Sequence, residues 1–178
     1  MAIAKPVKID FYDKQIRVQD YTNFTTYPAT SQTVTVTLPG AVAVNVTSKD
    51  LGFYKLSSNA NPMLIKPTVF GVDVFPDGVY RVAITQVNSR SLTLEADEQF
   101  LYIPAIDACI LKKTDTYLRS SCDNCKSDAN LKLLQELVVI RQAAQLDLNL
   151  GQYAAAALKV TLLTNLCTGA SCKCICGC

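Results

Sequence analysis

Cysteine is the residue type best placed to do chemistry in this chain, and its spacing indicates where. Seven of the eight cysteines follow residue 121. Cys122 and Cys125 form a Cys-x-x-Cys, and Cys167 precedes the alternating run Cys172, Cys174, Cys176 and Cys178. Four thiolates at tetrahedral positions suit zinc, which has no geometric demand from its d electrons. The predicted structural zinc set is Cys122, Cys125, Cys167 and Cys172, with Cys174 as a substitute for Cys172. Disulfides formed after release into an oxidising environment are the alternative, and free buried thiols the third reading. Cys109 is expected to stand apart, packed on the apolar face of a helix. A redox-catalytic Cys-x-x-Cys needs a strand before it and a helix after it, whereas the segment before Cys122 reads as helix.

Little else in the chain suggests catalysis. There is no histidine, which removes the commonest general base and the usual triads. Paired carboxylates occur at Asp10 and Asp13 and at Glu95, Asp97 and Glu98. Both groups flank strand ends, where solvated turns ordinarily carry charge. Gly71, Gly78 and Gly151 are scattered and form no phosphate cradle. The expectation is a protein that is not an enzyme. Net charge is +2 with both signs interspersed, so no basic stripe for direct nucleic-acid binding is expected. No long uncharged apolar run predicts a membrane span, and the first residues do not read as a secretory signal.

The elements that must position these residues follow from periodicity. Residues 1–103 read as β. Val34, Val36 and Leu38 alternate with threonines, and Val42, Val44 and Val46 alternate again, each set expected to face inward. Ile9 with Phe11, and Ile16 with Val18, make two short strands. Residues 63–70 predict a further strand, at an edge because of Pro62 and Pro67. After a turn at Phe75-Pro-Asp-Gly78, Tyr80, Val82 and Ile84 share one face. Short alternating strands at this spacing predict an antiparallel sandwich of the immunoglobulin type, without that domain's cysteine and tryptophan hallmarks. The aromatic, threonine-rich stretch from Tyr21 to Ser31 reads as a long contact-making loop.

Near Pro104 the period changes from two to three-and-four. Ile106, Cys109, Ile110, Lys113, Tyr117 and Leu118 mark one helix face. Ser127 or Asp128 can cap a second helix, whose stripe is Leu134, Leu137, Val138, Arg141 in part, Ala144 and Leu148. Asn149-Leu-Gly151 is a short stop. A third helix runs from Gln152 to Cys167 with Tyr153, Ala156, Ala157, Val160, Leu163 and Cys167 on one face. So short a connection predicts that the last two helices are antiparallel. The fold class is therefore α+β: an immunoglobulin-like β-sandwich over 1–103, then a small three-helix, cysteine-stapled module with a cysteine-rich tail over 104–178.

Several motifs occur in a recognisable order: Pro76-Asp-Gly-Val-Tyr80, Ile106-Asp-Ala-Cys-Ile110, Cys122-Asp-Asn-Cys125, Leu146-Asp-Leu-Asn-Leu-Gly-Gln-Tyr153 and Asn165-Leu-Cys167. In that order the chain resembles, at the level of a class, small virion proteins of tailed bacteriophages, crAss-like phages among them. In these an immunoglobulin-like sandwich is followed by a compact helical segment. The resemblance implies a structural part of the neck or tail, assembled in the host bacterial cytoplasm and present in many copies as a ring or adaptor. Its partners would be further copies of the chain and other virion proteins, and no catalytic residues carry over. A ring needs two different patches on each subunit, which a sandwich and a helical module can supply. The rival expectation is a zinc-binding adaptor that recognises a host or cellular protein through its sandwich loops.

Overall fold

A computed structural model describes residues 7–20, 29–46, 63–88, 91, 93–119 and 126–168. The chain divides into two compact units. One holds residues 1–76 and 80–100; the other holds residues 77–79 and 101–178.

The first unit contains two antiparallel sheets. Strands β1 (Val7–Tyr12), β2 (Gln15–Asp20) and β5 (Met63–Ile65) form a three-stranded sheet in the order β1-β2-β5. Strands β4 (Val44–Val46), β3 (Ala29–Thr37), β6 (Gly78–Asn88) and β7 (Thr93–Tyr102) form a four-stranded sheet in that order. Alternation selects the buried face, as side chains of period two require. Ile16 and Val18 pair with Ile65 and Met63 on one sheet. Val34 and Val36 pair with Ile84 and Val82 on the other, and all eight are buried. Phe11 of β1 meets Tyr80 of β6 and Phe100 of β7 edge to face, at 5.1 and 5.3 Å between ring centroids. That geometry favours aromatic pairs through their quadrupoles, and Phe75 joins the same cluster.

Three expectations for this unit are corrected. The strand expected at 41–46 shortens to β4, leaving Val42 85 % exposed and Val44 exposed, with only Val46 buried. β3 has two pairing partners along residues 34–36, and the segment before Val44 makes no ladder that would give its alternation an inside. The strand expected at 63–70 stops at Ile65 and becomes a 3-10 helix, Pro67–Phe70, closed by Gly71 at φ +73°. Proline at its first turn lacks the amide that a ladder would use. Residues 29–31 of the expected long loop open β3; Tyr21 to Pro28 lie outside the described residues.

The second unit carries helices α1 (Pro104–Arg119), α2 (Asp128–Asn149) and α3 (Tyr153–Thr168). Ser127 caps α2 by accepting the Asn130 amide hydrogen. Gly151, at φ +78°, takes the left-handed turn that lets α3 fold back, a conformation without penalty only for glycine. Ile103, Ile106, Leu137, Val160 and Leu163 form one buried core cluster, and Leu134, Ala144, Leu148 and Ala156 are buried as well. Leu118, Val138, Tyr153 and Ala157, expected on core stripes, are instead exposed. Leu118, Val138 and Ala157 lie at the margins of their helices' buried arcs, which a small unit leaves in water, and Tyr153 is the first residue of α3.

Candidate functional site

The chemistry-bearing cysteines converge differently from the spacing argument. Cys109 and Cys167 are joined by a disulfide, with their Cα atoms 6.2 Å apart and 58 residues between them in sequence. Cys109 is therefore not the isolated packing residue expected. Its apolar face on α1 is the face that meets the end of α3, so its sulfur finds Cys167 there. Cys167, once bonded, presents no thiolate to a metal. The other predicted ligands, Cys122, Cys125, Cys172 and the substitute Cys174, lie outside the described residues. Among the described residues no three cysteine, aspartate or glutamate side chains converge as a metal site would require.

Local interactions hold the bonded pair in place. Asp77 reaches the start of α1 from 29 residues upstream. Its two carboxylate oxygens accept the amide hydrogens of Ala105 at 3.1 Å and Ile106 at 2.7 Å. These are two of the donors that a helix leaves unsatisfied at its first turn, and a negative charge there also complements the helix dipole. Burial, and then the charge of Asp77, push the Tyr102 hydroxyl pKa up. Asp107 clamps α1 to α2 through Arg141, which donates from Nε at 2.8 Å and from Nη2 at 3.3 Å. Lys159 of α3 donates to Asp147 of α2. That ion pair, with Leu137 and Leu163 sharing one core, aligns α2 and α3 antiparallel.

Two of the carboxylates considered for catalysis, Asp10 and Asp97, serve ion pairs. Asp10 accepts from Arg17 at 2.8 and 2.7 Å. Asp97 accepts from Arg81 at 3.0 and 2.7 Å. Each guanidinium, chiefly through its hydrogen bonds, holds the partner carboxyl below the ordinary 3.8. A carboxylate held ionised is a poor proton donor near neutral pH. Asp13 sits in the tight β1–β2 turn at φ +48° and is exposed.

Sequence reasoning missed the cap that Asp77 makes on α1, the bond from the Tyr80 hydroxyl to Pro76 and the outer helix surface. The Asp-Gly-x-Tyr run at 77–80 was a readable signal for the first two. For the third, α3 holds only one charged residue, Lys159, so that helix is uncharged around most of its circumference. Leu111, Leu118, Val139, Leu146, Leu150, Leu158 and Leu162 are all exposed on this unit. Comparison with known proteins returned nothing: no family model matches the chain, and no curated protein or solved structure matches it.

Proposed function

We propose that this chain is a non-enzymatic structural protein of a phage virion, working in many copies as a ring or adaptor of the neck or tail. The observation that carries this reading is the exposed apolar surface of the helical unit. Contiguous exposed apolar side chains mark contact surfaces, and an assembly component needs them where an enzyme needs a cleft.

An immunoglobulin-like identity for the sheet unit belongs to the same reading, and two features support it. The first is strand order. Lettered A to G among the described residues, the sheets read A-B-E and D-C-F-G, an order like the immunoglobulin arrangement with the fourth strand moved beside the third. The second is Tyr80 at the start of the sixth strand, whose hydroxyl donates to the Pro76 carbonyl four residues back. Immunoglobulin-type sandwiches carry a tyrosine corner at that place. Two residues after it, where antibody domains have a cysteine, this chain has the fully buried Val82.

Mass spectrometry of purified particles tests the functional reading. The chain should be present at a fixed, multiple copy number per particle. Its confinement to the soluble fraction of infected cells would overturn the reading.

A further inference from the structure

We infer that the outer face of the α2–α3 hairpin docks a second copy of this chain. The inference goes beyond the virion reading and does not rest on it. On α2 the buried residues are Leu134, Leu137, Ala144 and Leu148. At 3.6 residues per turn, Val139 and Leu146 fall on the opposite side, and Leu150 follows just past the helix end. On α3 the buried residues are Ala156, Val160 and Leu163, which places Leu158 outward and Leu162 on the flank toward α2. The Lys159–Asp147 ion pair sets the level of one helix against the other, so Leu158 is nearly level with Leu146, and Leu162, one turn on, falls between the levels of Leu146 and Val139. These five apolar side chains run along one side of the hairpin, from 44 % exposed at Leu162 to 72 % at Leu158.

Charge selects the occupant. The only charged residue of α3, Lys159, is paired with Asp147 inside the unit, so α3 projects no charge outward. A charged partner side chain would be desolvated there without a counter-ion. A second copy brings the same uncharged face. At the edge of the patch, α2 exposes Lys132 and Glu136, one turn apart and opposite in sign. In a two-fold pair residue i meets j and j meets i, so Lys132 of each copy can face Glu136 of the other. A lipid surface fits less well. Among the described residues no helix is long and apolar enough to cross a membrane, and at the edge of the face Lys132 stands one turn from Glu136, where interfacial helices carry a run of lysines and arginines. The face is roughly 30 Å long and two helices wide, a footprint of roughly 600 Å². That is the lower range of specific interfaces, about 800 Å² per partner being standard, so pairing should depend on concentration.

Analytical ultracentrifugation of the full chain over a wide concentration range tests the inference. The wild type should pass from one copy to two as concentration rises. Leu146→Glu with Leu158→Glu should raise the dimer Kd about a hundredfold or more, because like charges would be juxtaposed in the interface, while helical circular dichroism stays unchanged. Lys132→Glu alone should raise the Kd about tenfold, and adding Glu136→Lys should restore it; this swap decides the matter should the leucine variant misfold. The inference is overturned by a wild type that stays a single copy throughout, by a dimer that persists in the leucine variant, or by a dimer that is disulfide-linked on a non-reducing gel. Co-sedimentation with anionic phosphatidylserine vesicles in place of dimerisation would overturn it equally.

Discussion

The Tyr80 hydroxyl donates its hydrogen to the carbonyl oxygen of Pro76, four residues upstream, while its ring is wholly buried between Phe11, Phe75 and Phe100. One side chain thus closes the entry to β6 with its polar end and fills the core with its apolar body. Buried phenols ordinarily find such a partner.

Tyr80→Phe keeps the ring and deletes the bond, leaving the Pro76 carbonyl without this donor. The expected loss is about 1–2 kcal/mol, read from denaturant unfolding of the full chain. Tyr80→Ala should cost about 3–5 kcal/mol by emptying the cluster. Equal stability of Tyr80→Phe and wild type would show that the corner contributes nothing.

Asp77→Ala removes the acceptors from the first turn of α1. Loss of a helix N-terminal cap costs about 1 kcal/mol, so the melting temperature should fall and α1 should fray. Hydrogen exchange at Ala105 and Ile106 should accelerate more than exchange within α2. Unchanged protection at those two amides would refute the capping role.

Cutting the Cys109–Cys167 bond should destabilise the helical unit by about 2–5 kcal/mol. Cys109→Ser and treatment with reductant should lower its melting temperature by similar amounts, and the two should not add. The spacing argument expects Cys109→Ser to be mild, so this result separates the two readings. Peptide mapping without reductant should recover a linked pair of peptides containing Cys109 and Cys167. Metal analysis that finds about one zinc per chain, with Cys167 among its ligands, would refute the disulfide.

The sheet unit should weaken in acid. Asp10 and Asp97 have folded pKa values lowered by Arg17 and Arg81. A carboxyl whose folded value lies below its unfolded value, about 3.9, stabilises the fold fully above that unfolded value. The contribution is lost as pH falls through the folded value. Stability should therefore be level from neutral pH to about 5 on this account and decline below about 4. Asp10→Asn should flatten part of that decline. An acid limb identical in wild type and Asp10→Asn would show that the Asp10–Arg17 pair is not responsible.

The sequence by itself determined what is local: the alternating valines of β3, the inward run Tyr80, Val82 and Ile84, the change of period near Pro104, a helix cap at Ser127 or Asp128, and the short Gly151 connection that reverses the chain. Each depends on neighbours within a turn or a strand, so a one-dimensional pattern carries it. Tertiary structure alone decided what depends on distant neighbours. Val42 and Val44 alternate as well as Val34 and Val36 do, yet they are exposed, because alternation fixes a face only where another layer covers it. Cys109 was legible as a residue on the apolar face of α1. Its bond to Cys167, 58 residues away, was not, because nothing local specifies that α1 packs against the end of α3. Asp77 likewise reads as a turn residue until the first turn of α1 is placed within reach of its carboxylate. The same holds for the outer face of the hairpin, since only the packing of α2 on α3 shows which leucines the core leaves uncovered.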